Sequence, residues 1–509
     1  MESTAQKRIF RNYSVGFVSF LISFLQAIIT VPILLNYWGN DIYGIWIALF
    51  AAFTLLQTFD FGHQSFVGNL LNIEYHIDKK KFADYLGSSL VMALLLGLLQ
   101  LSIAIFLILT GYLNNFLGIT GNIIDYSTVS ISLISLMLMW VLSGSIGGIL
   151  IKILFPAGFM AQSLVWGIVF KLAQFLSLII VAMSGGYILE ASIVYSIVQI
   201  ILSLFVFRYL RNKMPEFYPW WQSHSLKTGF QNLKKSVILT INNLLQQLSN
   251  NGLVLFITNI FSTSVVPAFT TVRTLTNTAT VFTNLFITSI QPDLIKYHAK
   301  NEAEKLQTTL NANWFFSGFV VNTGLIIVIP FAEKIFTIWT RGIVNFDFIL
   351  FLSLVASISV INFGAGLYNY LFSINSLRWI TIISVARVCI LAIFSFYLSG
   401  ILGLAGIGLA VLISELIASM LLPIIFVNNI FKTFKRSLDF KILVTAAIIP
   451  FIFLAILWSV MIGIKPDLLV WGILLFLTIS IYFFNWTILE KEIKNRFMEL
   501  LRNLFFRAK

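Results

Sequence analysis

Long apolar runs recur along this chain, each ended by a short polar connection. They cover approximately 15 to 37, 43 to 68, 86 to 112, 127 to 151, 160 to 183, 187 to 207, 236 to 260, 265 to 290, 310 to 331, 348 to 372, 379 to 398, 402 to 427, 442 to 463 and 468 to 488. A helix needs about 20 apolar residues to cross the hydrocarbon of a bilayer, and each run is long enough. The pattern predicts an all-α integral membrane protein with about 14 transmembrane helices. The first run follows Lys7, Arg8 and Arg11, as the apolar part of a signal peptide would. It is too long for that and lacks a small-residue cleavage site, so it reads as a retained helix.

The longest polar connection, 208 to 235, parts six runs from the next six, and repeats are the first thing to seek in a transporter. Shifting the chain by 223 residues lays Asn242, Gln246 and Ser249 on Ser19, Ser23 and Gln26, and Asn277 and Thr280 on Thr54 and Gln57. "SLVW" at 163 to 166 echoes "SLRW" at 376 to 379. Six crossings per half make both halves enter from one side, the arrangement of parallel repeats about an axis along the membrane normal. The expected organisation is an N-lobe over 1–235, a C-lobe over 236–441, and two further helices with a basic tail over 442–509.

Polar residues inside the apolar runs carry the next layer. Asn243, Gln246, Gln247 and Asn250 are spaced at helical intervals, as are Thr270, Arg273, Asn277, Thr280 and Asn284, so each set is expected on one helix face. Such side chains serve either as hydrogen-bonded glue between helices, at about 0.6 to 2 kcal/mol each, or as the wall of a wet cavity. Their collection over successive turns of two consecutive helices, together with an arginine, favours the cavity.

Composition and charge narrow the class. The 509 residues are 59% hydrophobic and 10% charged, against the roughly 25% charged residues of a soluble domain. The net charge of +13 raises nucleic-acid binding as a reading. Sorting the loops for fourteen crossings puts 27 Lys and Arg on the side of both termini and only Lys334, Arg341 and Lys465 on the other. The positive-inside rule then places both termini in the cytoplasm and accounts for the excess, so no nucleic-acid partner is needed. Cys389 is the single cysteine, so no intramolecular disulfide forms. No G-x-x-x-x-G-K-[ST] loop occurs, which removes an ATP-driven pump within one chain.

Five ionisable residues fall inside predicted spans: Asp60, Lys171, Arg273, Arg387 and Glu415. Buried charge costs roughly 2.5 to 3.5 kcal/mol on insertion scales and usually faces a cavity or a partner. Arg387 and Glu415 lie at similar depth on successive helices, so mutual neutralisation competes with a functional role for each. Asp60, fifteen residues in from Ile45, lies about 23 Å along its helix and shares a face with Gln57 and Gln64. It reads either as an acid that carries a proton or Na⁺ or as a hydrogen-bonded anchor. His63, one turn on, is expected to be solvated at the interface. His76, His224 and His298 lack metal-ligand spacing, and no catalytic constellation stands out. The expected cavity set is Arg273, Lys171, Arg387, Asn243, Gln246, Gln247, Asn250, Thr270, Asn277, Thr280 and Asn284. Asp60 and Glu415 are the ion-coupling candidates, with no catalytic residue, metal or cofactor.

"WGNDIYGIW" at 38 to 46 followed by "DFG" at 60 to 62, "VPAFTTVRTL" at 266 to 275 closing with "QPDL" at 291 to 294, and "LGLAGIGLA" at 402 to 410 together resemble the Wzx-type oligosaccharide flippases. These belong to the multidrug/oligosaccharidyl-lipid/polysaccharide exporter superfamily. The motifs are loose singly, but their order and the fourteen-helix plan match over nearly the whole chain. The resemblance implies two six-helix lobes that alternate between inward-open and outward-open forms. It implies a cargo of undecaprenyl-pyrophosphate-linked oligosaccharide, such as an O-antigen or polysaccharide repeat unit, moved across the bacterial cytoplasmic membrane. Membrane lipids and polysaccharide-assembly proteins would be its partners. Cationic Arg273, Lys171 and Arg387 suit a diphosphate, and amides suit a sugar. The alternatives are a lipid II flippase, a multidrug antiporter of the same superfamily, and a membrane-embedded glycan polymerase or transferase. The short outer loops disfavour the last.

Overall fold

The computed structural model describes residues 2–119, 124–438, 440–464, 466–489 and 494, and every regular element among them is helical. Lys465 and, apart from Lys494, the basic tail from 490 onward lie outside the described residues. In chain order the helices are α1 (Glu2–Ile77), α2 (Lys79–Leu109), α3 (Tyr112–Leu117), α4 (Tyr126–Met139), α5 (Ile146–Leu150), α6 (Met160–Met183), α7 (Ile188–Lys213), α8 (Leu226–Gln247) and α9 (Leu253–Ile260). There follow α10 (Val266–Asn277), α11 (Thr280–Ala299), α12 (Ala303–Val328), α13 (Ala332–Trp339), α14 (Phe348–Ser373), α15 (Leu377–Glu415), α16 (Leu422–Thr433), α17 (Phe440–Met461) and α18 (Leu468–Ile488). Among the described residues, 10 stretches are long and apolar enough to cross a membrane. The chain is a multi-pass membrane protein.

Two of those stretches, Leu21–Ile77 and Leu377–Thr433, are 57 residues long, roughly 86 Å of helix against a hydrocarbon core of about 30 Å. Each holds a glycine off the helical path: Gly39 at φ 66°, ψ −174° in α1, and Gly403 at φ 59°, ψ −136° in α15. Positive φ with extended ψ is open to glycine and strained for other residues, so these two positions set where one helix ends and the next begins. Both fall inside quoted motifs. The expected runs 236 to 260 and 265 to 290 are not among the ten, because their amides and hydroxyls lower the mean hydropathy.

Packing divides the described chain into two units, Met1–Thr270 with Trp339–Val344, and Thr271–Ile338 with Asn345–Lys509. Hydropathy draws its boundary after 235, where a polar connection interrupts the spans. Packing carries α8 into the first unit, because α8 lies along α1. A Cβ on Gly62 would stand 2.3 Å from the Thr240 nitrogen, so the glycine of "DFG" permits a backbone-to-backbone crossing. The 214–225 connection is docked onto the same unit: Trp220 is buried, Ser225 N donates to Ser88 Oγ at 2.9 Å, and Gly87 leaves room for the Ser223 carbonyl. In the second unit α14 packs against α11, α12, α15 and α17. There α18 is fastened by Asn322 Nδ2 donating to Tyr482 Oη at 3.0 Å, while Ser359 Oγ donates to Asn322 Oδ1 at 2.7 Å.

Candidate functional site

The first unit holds a partly open cavity of about 470 Å³ between α1, α4, α5, α6 and α7. Its polar wall comes from Gln57, Gln64, Gln174, Gln199, Ser143 and Ser203, and aromatic faces come from Phe50, Trp140, Phe170 and Tyr195. Pockets that mix a few placed polar groups with aromatic surface are the usual form of a ligand site. Glycines make the room. A Cβ on Gly148 would meet Gln64 Oε1 at 2.2 Å, and one on Gly144 would meet the Trp140 ring at 1.8 Å. Trp140–Ser145 is a π-helical turn, the irregularity that sets Ser145 against α1.

Asp60 lies beside this cavity and is fully buried. Its Oδ2 stands 2.8 Å from Gln64 Nε2 and 2.5 Å from Ser145 Oγ, and among the described residues Oδ1 has no hydrogen-bond partner. The sequence put Gln57 and Gln64 on the face of Asp60; the structure bonds Gln64 to Asp60 and sets Gln57 and Gln64 in the cavity wall. His63 departs from expectation. It is fully buried, and among the described residues neither ring nitrogen has a hydrogen-bond partner, so it is not a solvated interface residue.

Lys171 is held by α1: its Nζ donates to Ser19 Oγ at 3.1 Å and Ser23 Oγ at 3.0 Å, while Gln26 Nε2 donates to its carbonyl at 2.8 Å. Those three α1 residues are the ones the 223-residue shift picked out, but their shared partner was not legible. Among the described residues no carboxylate lies within ion-pair distance of Lys171.

The two polar stripes are less regular than their spacing suggests. Asn243, Gln246 and Gln247 ride on α8, but Asn250 falls in a π-helical segment, Leu248–Gly252, which shifts its register. Asn251 Nδ2 donates to Gln247 Oε1 at 2.6 Å within that segment. The second stripe is broken by a turn at 278–279, so Thr270, Arg273 and Asn277 belong to α10 while Thr280 and Asn284 belong to α11. Thr270 and Thr280 donate to the backbone carbonyls of Val266 and Asn277, the ordinary fate of a hydroxyl in a helix. Arg273 is half-buried in the second unit.

Arg387 and Glu415 meet in the second unit. Arg387 Nε lies 2.9 Å from Glu415 Oε1, and Nη2 lies 3.2 Å from Oε2 and 3.0 Å from Ser419 Oγ, while Ser419 Oγ also donates to Glu415. Glu415 ends α15, and Leu416–Leu421 continues as a π-helical segment that carries Ser419 into the pair. The neutralisation weighed from sequence is the arrangement present.

Sequence reasoning missed Gln174, Gln199, Trp140 and Ser145. The signal for one was available: Ser192, Ser196, Gln199 and Ser203 recur at intervals of 4, 3 and 4 along α7, and all four are buried. Among the described residues no group of His, Cys, Asp or Glu could hold a metal ion.

The fold has known counterparts. The chain is similar to a lipid II flippase, MurJ, in an inward closed conformation, at TM-score 0.62 and 16% identity over 94% of this chain and 98% of that one. It is similar to an inward-facing multidrug resistance MATE family transporter of the MOP superfamily, at TM-score 0.61 and 16% identity over 84% and 98% of the two chains. The MATE multidrug transporter DinF-BH aligns at TM-score 0.58 and 17% identity over 85% and 96%. No family model and no curated protein sequence matches the chain. At these identities the likeness shows the fold, which the chain shares with these transporters.

Proposed function

We propose that the chain is a flippase that carries an undecaprenyl-pyrophosphate-linked oligosaccharide from the inner to the outer leaflet of the cytoplasmic membrane. It works by alternating access of two six-helix lobes and has about 14 crossings. The observation that carries this reading is the first unit's cavity, where amides and hydroxyls alternate with aromatic faces. Sugars present hydroxyls at their edges and apolar C–H faces, and this lining matches both. Fold likeness to a lipid II flippase adds support from a lipid-linked cargo.

Charge favours an anionic cargo. With Arg387 and Glu415 cancelling, the remaining ionisable residues of the five are Lys171, Arg273 and Asp60, a net positive set. Lys171 in its serine cradle and Arg273, able to make forked hydrogen bonds, suit a diphosphate. Asn243, Gln246, Gln247, Asn250, Asn277 and Asn284 supply further sugar contacts, and Asp60 is the group through which a driving ion couples. A lipid II cargo shares the same lipid diphosphate and remains the alternative reading. A multidrug antiporter for cations would want the opposite charge.

The test is complementation of a flippase-null strain by variants matched for membrane abundance. Arg273→Ala removes a charge-assisted contact of about 1.5–3 kcal/mol and should abolish surface glycan, whereas Arg273→Lys should keep part of it. Full glycan production with Arg273→Ala would remove Arg273 from the cargo path. A reporter fused at residue 220 should lie in the cytoplasm, with both termini.

A further inference from the structure

We infer that the first unit carries a docking surface for anionic phospholipid headgroups, built from the end of α7, the 214–225 connection and the first three turns of α8. Its partner is the bilayer itself, so the inference stands apart from the cargo.

The burial pattern of α8 is inside out. Gly229, Asn232 and Ser236 share one helix face and are buried, the last two at 3% and 0% exposure. A Cβ on Gly229 would stand 2.6 Å from Met92 of α2, so this face packs on α2. Leu226, Phe230 and Val237 share another face and are exposed, the first two at 54% and 57%. A helix that buries an amide and a hydroxyl while turning leucine and phenylalanine outward has its apolar side in lipid.

That stripe alone would suit any bilayer, and charge selects the headgroup. Lys227 and Lys234, seven residues apart and both exposed, run along one edge of the stripe. Between 208 and 235 there are six Lys and Arg against one acid, Glu216. Lysines beside such a stripe lay their stems over the acyl chains and hold their ammonium groups at the phosphates.

The connection brings the end of α7 to the same surface. The Arg211 guanidinium lies 4.6 Å from the centre of the Tyr218 ring, and Tyr218 stands 6.2 Å from Trp221, shortly before Ser225 caps α8. Lys213 Nζ lies 5.7 and 5.9 Å from the Phe159 and Tyr209 rings. A ring holds one side of a cation and leaves its N–H groups free to donate. Among the described residues no carboxylate lies within ion-pair distance of Arg211, Lys213, Lys227 or Lys234. Tyr218 and Trp221 are exposed, amphipathic rings of the kind that sit at headgroup level. The surface is fixed in place, with Phe217 and Trp220 buried and Ser225 N bonded to Ser88 Oγ. A phosphodiester, negative and rich in acceptor oxygens, is the complement of these donors.

The test is quenching of Trp221 by brominated lipid in the full chain, read as the difference between parent and Trp221→Phe. The bilayer is a phosphatidylcholine nanodisc holding about one-quarter phosphatidylglycerol. Bromine on the phosphatidylglycerol should quench Trp221 about fivefold more than bromine on an equal share of the phosphatidylcholine. Raising NaCl from about 0.05 to about 1 M should erase that preference. Arg211→Gln, Lys213→Gln, Lys227→Gln and Lys234→Gln together should erase it too. Lys296→Gln, Lys300→Gln, Lys432→Gln and Lys435→Gln remove equal charge from the second unit and should leave it. If the first fourfold variant fails to reach the membrane, the salt series on the parent decides. Equal quenching by the two lipids, or a preference that salt leaves untouched, overturns the inference. So does a Trp221 quenched by neither lipid, since protein would then cover the face.

Discussion

Each packing unit buries one membrane-embedded carboxylate, and the two are treated in opposite ways. Glu415 in the second unit receives a guanidinium at 2.9 and 3.2 Å together with the Ser419 hydroxyl. Asp60 in the first receives donors only from Gln64 and Ser145, and its other oxygen has no hydrogen-bond partner among the described residues. A closed pair loses heavily if either member is neutralised, since the other is left charged in low dielectric. A carboxyl among neutral donors changes charge at smaller cost. The same residue class is closed in an ion pair in one unit and hydrogen-bonded to neutral donors in the other.

The comparison can be broken most forcefully at the pair. Glu415→Gln should destabilise the protein by about 3–5 kcal/mol in thermal unfolding, and Arg387→Met combined with Glu415→Leu should recover most of that. A Glu415→Gln protein as stable as the parent would end the distinction between the two acids. Next in size are the glycines that hold each environment. Gly364→Ala would put a Cβ 1.5 Å from the Ser419 carbonyl, and Gly62→Ala one 2.3 Å from the Thr240 nitrogen. Each should cost about 1–3 kcal/mol or more, because backbone rather than a side-chain tip must move. Asp60→Asn should change stability by no more than about 1 kcal/mol while impairing glycan export at normal abundance. Equal export by this variant would assign Asp60 to structure. The smallest effect is expected at the cavity wall: Gln57→Leu should lower export about fivefold, the loss of one neutral hydrogen bond to cargo, with membrane abundance unchanged.

Hydropathy determined much of this protein on its own. Membrane residence and an all-helical build follow from apolar runs long enough to cross a bilayer, and the helix breaks at Gly39, between two runs, and at Gly403, one residue into the run 402 to 427, both fall on glycines of the quoted motifs. These are local properties, set by the transfer of side chains and by backbone sterics. Periodicity also put Gln57, Asp60 and Gln64 on one face, because a helical repeat is readable over two turns. It failed where the repeat itself changes, at the π-helical segment after Gln247 and at the turn after Asn277. Partnerships between distant positions were decided by tertiary structure alone. Ser145 reaches Asp60 across 85 residues of sequence and Lys171 finds Ser19 across 152. The stem of Lys152 lies across α1 because Gly68 leaves space for it. Whether a buried charge is paired or left among neutral donors depends on which helices cross and how closely. That is set by packing over the whole unit, and the spacing of residues along one helix does not contain it.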